Sequence, residues 1–160
     1  MQDFGQLLAR LADAAVPFVI VGGYAAVAHG SAYITKDVDI CIVLSAENIE
    51  RMRTALKDLQ PHHRMTPQRL SFLDFPPRGQ PLNNLYLHTN LGVIDILSSV
   101  LGVGDYEQLR ENAEMVEVDG RQYPVISLED LIKAKEAMGR DKDMLTAKEL
   151  RAILAKRQGA

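Results

Sequence analysis

The chain has 160 residues, of which 47% are hydrophobic and 24% charged, and its formal net charge is −3. These values are ordinary for globular proteins and exclude the disordered and fibrous classes. The small negative charge gives no general attraction to nucleic acid, so any such contact would need a local basic surface. The length predicts one domain over residues 1–160, with a core over about 15–126 and C-terminal helices over about 127–157.

Cysteine content and hydropathy exclude further classes. Cys41 is the only cysteine, which excludes an intramolecular disulfide and a zinc site built from cysteines. The longest run without a charged residue or a histidine, Ala14 to Ala28, contains Pro17 and is shorter than the roughly 20 residues that span a bilayer. No basic segment followed by an apolar one opens the chain, so we expect a cytoplasmic protein without membrane contact.

The N-terminal part of the chain alternates helical and strand patterns. Apolar residues at i, i+3, i+4 and i+7 predict an amphipathic first helix, which contains Phe4, Leu7, Leu8 and Leu11. Gly30 is a candidate C′ residue for a short helix, and Ser45 is a candidate N-cap for a longer one. The predicted elements that follow the first helix are a strand at 18–21, a helix at 24–28, a strand at 37–44 and a helix at 46–59.

The second part is predicted to contain a loop-rich segment, two hairpins and two helices. Five of the seven prolines fall within residues 61–81, which favours loops with one strand at 70–75 and makes His62 and His63 solvated loop residues. Strand patterns at 84–88 and 92–97 predict one hairpin, and those at 116–118 and 122–126 flank the turn signal Asp119-Gly120. A capping pattern at Ser127 opens a helix to about residue 138, and a last helix follows at 143–156.

An Asp-Val-Asp motif begins the strand predicted at 37–44. Side chains alternate along a strand, so Asp37 and Asp39 point to one face while Val38 and Ile40 point to the other. Two carboxylates roughly 7 Å apart along a strand repel each other unless they share a hard cation. Because Mg²⁺ is usually held by carboxylates together with substrate phosphates, the motif predicts a metal site that takes a nucleoside triphosphate.

Glycines, a histidine and a further aspartate flank this motif. Gly22 and Gly23 either let backbone N–H groups approach a triphosphate or form a tight turn that needs a positive φ, and both interpretations are compatible. His29 is either a contact to the triphosphate or acceptor, or a structural residue that ends the short helix. Asp95 lies among apolar residues of its predicted strand, where an isolated carboxylate is costly unless it has a partner.

Lys135 lies where the first C-terminal helix should be apolar. It continues the i, i+3, i+4, i+7 pattern that starts at Leu128, whereas Lys133 points elsewhere. An inward-facing cation needs an anion. Two anions stay open: a nucleotide β- or γ-phosphate, which would make Lys135 a nucleotide-binding residue, and Asp143, which would brace the final two helices.

Together these motifs resemble those of the nucleotidyltransferase superfamily, which has the polymerase-β-like fold. Its pattern is an apolar strand, a glycine pair, Asp-x-Asp, and a third acid on a later strand. Within the superfamily the chain most resembles the small bacterial AbiEii-type toxin nucleotidyltransferases and their relatives. The matching residues are Gly22-Gly23, His29-Gly30, Thr35, Asp37-Val-Asp39, Val93-Ile-Asp95-Ile, Leu131-Ile-x-x-Lys135 and Arg140-x-Lys142-Asp143.

The resemblance implies an α/β (α+β) fold in which helices flank a mixed β-sheet and a C-terminal helical pair follows. It implies that a nucleoside monophosphate moves from a triphosphate such as ATP to an acceptor hydroxyl, with release of pyrophosphate. Asp37, Asp39 and Asp95 would bind Mg²⁺, or Mn²⁺ in its place, and would be catalytic, with Asp95 helping to deprotonate the acceptor. The residues expected to bind the nucleotide are Gly22, Gly23, Thr35, Lys36 and Lys135.

The acceptor and the biological role stay open at this level. The leading interpretation is transfer to an RNA 3′ end or a protein hydroxyl by the toxin of a toxin–antitoxin system, with a cognate antitoxin as partner. A small-molecule acceptor of the aminoglycoside or lincosamide type is the alternative, and a non-catalytic binding module is a third interpretation. A macromolecule predicts a basic surface, for which Arg64, Arg69 and Arg78 are candidates, whereas a cationic drug predicts an acidic pocket.

Overall fold

The computed structural model describes residues 2–159. The helices are α1 (Phe4–Asp13), α2 (Gly22–Ala28), α3 (Ala46–Leu56), α4 (Tyr106–Asn112), α5 (Leu128–Met138) and α6 (Asp141–Arg157). The strands are β1 (Val19–Val21), β2 (Asp37–Cys41), β3 (His62–His63), β4 (Asn84–Thr89), β5 (Gly92–Leu97), β6 (Ser99–Val100), β7 (Gly104–Asp105), β8 (Glu114–Val118) and β9 (Arg121–Val125). None of the described helices is both long enough and apolar enough to cross a membrane.

Seven strands form one mixed sheet in the order β3-β4-β5-β2-β1-β9-β8. The pairs β2–β5 and β1–β9 run parallel, and the other neighbours run antiparallel. The strands β6 and β7 form a separate two-stranded sheet. This arrangement confirms the predicted mixed sheet with flanking helices, and it makes β2 and β5 direct neighbours at the centre.

The register of β2 and β5 is set by burial of their apolar faces. Val38 and Ile40 of β2, and Ile94 and Ile96 of β5, have no exposed surface. Full burial of such a side chain stabilises the fold by about 1.5–3 kcal/mol. A slip of one residue would exchange the faces and bury carboxylates in the core. The packing of the apolar face therefore holds the aspartates of both strands on the opposite face.

Local capping explains where the predicted helices begin and end. Ser45 Oγ accepts a hydrogen bond from the backbone N–H of Asn48, and Ser127 Oγ accepts one from Asp130, each at 3.1 Å. Gly139 ends α5 with φ +70°, a left-handed conformation that favours glycine. Helix α6 packs against α5 and so completes the predicted C-terminal helical pair.

Two predictions for residues 61–81 are wrong. The strand predicted at 70–75 does not form: Ser71 makes only an isolated bridge to His62, and residues 72–75 adopt turn and bend conformations. His62 and His63, predicted as loop residues, form β3, in which His62 pairs with His88 of β4. Without β3, β4 would present an unpaired edge of backbone N–H and C=O groups. This pairing joins distant parts of the chain, so local periodicity does not reveal it.

Some element boundaries also differ from their predictions. Strand β2 ends at Cys41 rather than 44, α3 ends at Leu56 rather than 59, and α6 begins at Asp141 rather than 143. Helix α4 was not predicted, although a capping box between Asp105 and Gln108 marks its start. None of these differences moves the residues of the aspartate motifs.

Candidate functional site

Three aspartates meet where β2 and β5 run side by side. The parallel register sets Asp39 opposite Asp95 and Asp37 opposite Val93, so the three carboxylates share one face of the sheet. An oxygen from each carboxylate lies within 4.8 Å of those from the other two. No other group of three potential metal-binding side chains was found within residues 2–159. The structure thus brings together the three acids that the sequence singled out.

Asp39 has an electrostatic environment that disfavours its charge. Burial, together with the charges of Asp37 and Asp95, raises the pKa of Asp39 to about 7, while Lys135 and Arg64 act in the opposite direction. Among the described residues, Asp39 Oδ1 is buried and has no hydrogen-bond partner. A buried oxygen without a hydrogen-bond donor destabilises the fold, and a bound cation would remove this cost.

Asp95 finds a donor in Arg64. Arg64 Nη2 donates to Asp95 Oδ1 at 2.5 Å, and the guanidinium lies 5.6 Å from the centre of the Tyr86 ring. Burial raises the pKa of Asp95, and the hydrogen bond and charge of Arg64 partly offset this rise. Arg64 was predicted to lie on an acceptor-binding surface, and its contact with Asp95 was not predicted. The contact depends on backbone pairing with β4, where the Arg64 N–H donates to the Tyr86 carbonyl at 3.0 Å.

The three carboxylates fit a divalent cation. They offer the oxygen donors that Mg²⁺ and Mn²⁺ prefer, and one oxygen from each lies close to the other two. The orphaned Oδ1 of Asp39 is an independent sign of the same fit, because an ion would give this buried oxygen a partner. Asp37, Asp39 and Asp95 are therefore the residues that would hold a metal.

Only glycine fits at position 22, because the backbone there passes close to the Asp39 side chain. The φ of Gly22 is +69°, and a Cβ at this position would lie 2.1 Å from Asp39 Oδ2. Gly23 is less constrained, since a Cβ there would lie 3.3 Å from Thr35 Oγ1. Thr35 in turn donates from its hydroxyl to the Asp37 carbonyl at 2.8 Å, next to the acids. The tight-turn interpretation thus holds for Gly22, and the phosphate cradle stays a prediction.

Gly22→Ala is expected to weaken metal binding by displacing Asp39. Gly120→Ala is a matched control, because Gly120 has φ +82° and nothing lies within 4 Å of its Cβ position. Both variants should lose about 1–2 kcal/mol of stability from the left-handed backbone. Thermal unfolding and Mn²⁺ titration of both variants measure the two effects. Equal Mn²⁺ affinity in Gly22→Ala and Gly120→Ala would show that the close approach to Asp39 does not matter.

A cavity of about 290 Å³ opens at the carboxylates. Of the residues predicted to bind a nucleotide, Gly23, Thr35 and Lys135 line it. Arg140 and Lys142, at the start of α6, add positive charge to its lining, and neither was predicted to bind the nucleotide. The cavity therefore combines a metal-binding set of acids with cations that suit phosphate groups.

Lys135 contacts Asp143 only at long range. Its Nζ lies 3.8 Å from Asp143 Oδ1, whereas Arg140 donates to both Asp143 oxygens, at 2.6 and 3.3 Å. These hydrogen bonds lower the pKa of Asp143. Arg140 is thus the main partner of the buried Asp143. The charge of Lys135 also offsets part of the rise in the pKa of Asp39, so it acts on the carboxylate cluster as well.

Three candidate residues, Gly22, His29 and Lys36, do not line the cavity. His29 is buried, its Nε2 donates to the Ile126 carbonyl at 2.7 Å, and its Nδ1 accepts from Arg157 at 3.0 Å. Both ring nitrogens are satisfied, which supports the structural interpretation of His29. Lys36 is exposed and does not line the cavity, so its phosphate contact stays a prediction.

Solved structures of other proteins share the fold of this chain. The lincomycin-bound lincosamide antibiotic adenylyltransferase LnuA aligns with a TM-score of 0.61 and 16% identity, over 95% of this chain and 98% of that one. A proposed nucleotidyltransferase from Thermotoga maritima aligns with a TM-score of 0.57 and 20% identity, over 96% and 91%. This chain has the nucleotidyltransferase fold.

The antibiotic-resistance factor ANT(2″)-Ia shares the nucleotidyltransferase fold as well. It aligns with a TM-score of 0.56 and 14% identity, over 98% of this chain and 91% of that one. No protein-family model and no curated protein sequence matches the chain. The likeness therefore establishes the nucleotidyltransferase fold, and the chemistry has to be argued from this chain's own residues.

Proposed function

We propose that the protein is a metal-dependent nucleotidyltransferase, which moves a nucleoside monophosphate from a triphosphate to an acceptor hydroxyl and releases pyrophosphate. The observation that carries this proposal is the convergence of Asp37, Asp39 and Asp95 at a cavity with basic lining. The nucleotidyltransferase fold of the chain supports it. Mg²⁺ is the proposed ion, with Mn²⁺ as its substitute, because the donors are carboxylate oxygens.

Each residue of the site has a separate proposed role in the transfer. A metal held by the three aspartates would stabilise charge on the entering and leaving oxygens. Asp95 accepts the proton of the acceptor hydroxyl, whose oxygen bonds to the α-phosphorus as the bond to the pyrophosphate oxygen breaks. Lys135, with Arg140 and Lys142, offers charge to the β- and γ-phosphates, and Thr35 holds Asp37 in place through its backbone carbonyl.

The acceptor we favour is macromolecular, as the AbiEii-type resemblance implies. A polyanionic acceptor needs a basic surface near the site, and Arg64 and Arg69 line a second pocket beside it. This role would suit the toxin of a cytoplasmic toxin–antitoxin system with a cognate antitoxin. A protein hydroxyl as acceptor belongs to the same proposal.

Transfer to a small drug is the second candidate function. It is favoured by the likeness to LnuA and ANT(2″)-Ia, which are named as an antibiotic adenylyltransferase and an antibiotic-resistance factor. A cationic drug would need acids beyond those that bind the metal. In the cavity Asp143 is the only further acidic residue in the lining, and Arg140 already neutralises it. A non-catalytic module is the weakest candidate, because all three acids are present and converge.

The acceptor class can be identified by incubation with α-³²P-labelled NTPs and Mg²⁺. Each of the four NTPs is offered with total cellular RNA, with cell lysate, and with an aminoglycoside or lincosamide. We expect either labelled RNA that nuclease treatment degrades or a labelled protein band that protease treatment degrades. Label only on the drug would establish the second candidate. No labelled product with any NTP and any acceptor would favour the non-catalytic module.

A further inference from the structure

A second pocket, of about 360 Å³, is lined by two arginines, three histidines and two amide residues. We call it the basic pocket; its cationic or titratable side chains are His62, His63, Arg64, Arg69 and His88, and the remaining two lining residues are amides. No acidic residue lines it. Arg69 and His88 are exposed, so their donor groups face solvent. A pocket with this composition attracts anions.

His62 and His88 of the basic pocket lie on the same face of the sheet as the carboxylates, whereas His63 faces the other side and bonds the Phe75 carbonyl. His62 is opposite His88, His88 is opposite Val93, and Val93 is opposite Asp37. This row crosses four neighbouring strands, which lie about 4.8 Å apart. By this geometry His88 lies roughly 10 Å from Asp37 across the sheet, and His62 roughly 14 Å. A ligand of two or more linked units can therefore reach from the basic pocket to the carboxylates.

Arg64 joins the two sites directly. It lines the basic pocket and donates to Asp95, the carboxylate proposed to accept the acceptor's proton. A polynucleotide whose phosphates bind Arg69 and Arg64 would therefore have its next unit close to Asp95. Guanidinium groups bind phosphate oxygens with two parallel hydrogen bonds and also stack on nucleobases.

We propose that the basic pocket binds the sugar-phosphate backbone of a single-stranded polynucleotide, whose terminal hydroxyl is the acceptor. This inference rests on the proposed transfer activity and specifies its substrate class. A single strand is favoured over a protein because the lining carries two arginines and no acid, whereas a protein surface presents charges of both signs.

Arg78 provides a matched control for Arg69. Both are exposed arginines of the same segment, but Arg78 does not line the pocket and instead lies 3.4 Å from Glu50. Arg69→Gln and Arg78→Gln therefore make the same change of charge. Neither side chain is buried, so both variants should fold, which thermal unfolding will verify.

The test measures binding of a fluorescein-labelled 12-nucleotide RNA, and of DNA with the same sequence, by fluorescence polarisation in EDTA without NTP. We expect Arg69→Gln to weaken binding about tenfold and to lower the slope of log K against log salt by about 0.7. Arg78→Gln should bind like the wild type. The RNA and DNA arms identify the sugar that the site prefers.

Three results would overturn the proposal: no salt-dependent binding by the wild type, equal losses in Arg69→Gln and Arg78→Gln, or displacement of the strand by equimolar inorganic pyrophosphate. The assay contains neither metal nor NTP, so it stands apart from the transfer reaction. Labelled transfer that persists unchanged in Arg69→Gln would refute the basic pocket alone. Strand binding that depends on Arg69, without transfer by the wild type, would refute the proposed function alone.

Discussion

Asp39→Asn is expected to lower nucleotidyl transfer by about a thousandfold or more while the fold stays intact. The substitution keeps the volume of the side chain but removes the charge from the carboxylate whose Oδ1 is buried without a partner. Asp37→Asn should have the same effect, because its oxygen belongs to the same cluster. Asp95→Asn should also lose most activity but bind metal more nearly normally, since Arg64 already offsets part of the Asp95 charge.

Asp74→Asn serves as the control for these variants, because Asp74 is exposed and lies outside the cluster. Transfer is measured with the labelled NTP and acceptor identified in the screen, and metal affinity by Mn²⁺ titration. Near-normal turnover of Asp39→Asn with Mg²⁺ would refute the assignment of the metal-binding acids. Equal losses in Asp74→Asn would show that the effect is not specific to the cluster.

The stability of the wild-type protein is expected to depend on pH through Asp39. The pKa of Asp39 is about 7 in the folded protein, against an ordinary value of 3.8, so the folded state binds more protons between these values. Stability of the metal-free protein should therefore fall as pH rises from about 4 to about 7, by at most about 4 kcal/mol from this group. Asp39→Asn should lack this decline and be more stable than the wild type above pH 7. The melting temperature of each protein is measured across this pH range. Equal changes in the melting temperatures of the wild type and Asp39→Asn would contradict the prediction.

Lys135→Met is expected to weaken NTP binding by about 10- to 100-fold, the loss of one or two charge-assisted contacts to phosphate. Methionine keeps most of the apolar stem, and Asp143 retains its two hydrogen bonds from Arg140. The melting temperature should therefore change little. Nucleotide affinity is measured by calorimetry with a non-hydrolysable NTP analogue and Mg²⁺.

Lys133→Met on the same helix is the matched control. Lys133 is exposed, does not line the cavity, and lies 3.9 Å from Asp130. It should bind nucleotide like the wild type. A fall of several degrees in the melting temperature of Lys135→Met, with unchanged nucleotide affinity, would instead identify Lys135 as a brace for Asp143.

Local sequence patterns predicted the centre of the fold and the three acids. Alternation along β2 and β5 separates the buried Val38 and Ile94 from Asp39 and Asp95, and this separation is a property of the strand itself. Similarly, Asp119 and Gly120 both have positive φ at the turn between β8 and β9, as their sequence predicts. Such features depend on neighbouring residues and can be recognised without tertiary structure.

The features that the sequence did not reveal depend on distant contacts. Strand β3 forms because β4 offers an unpaired edge. This pairing brings Arg64 into contact with Asp95 and brings together the residues that line the basic pocket. The prediction grouped Arg64, Arg69 and Arg78 by their nearness in sequence. The structure separates Arg78, which lies near Glu50, from the other two, which line the basic pocket. No local periodicity distinguishes these three arginines.

The most direct test of nucleotidyl transfer compares two positions of the label in one NTP. The protein, with Mg²⁺ and the acceptor found in the screen, is incubated with α-³²P-NTP or with γ-³²P-NTP. Transfer of a nucleoside monophosphate predicts that α-label enters the acceptor, that γ-label appears only in pyrophosphate, and that Asp39→Asn abolishes both. Entry of γ-label into the acceptor would show phosphoryl transfer instead, and α-label incorporation by Asp39→Asn at the wild-type rate would show that the three carboxylates are not the site of the reaction.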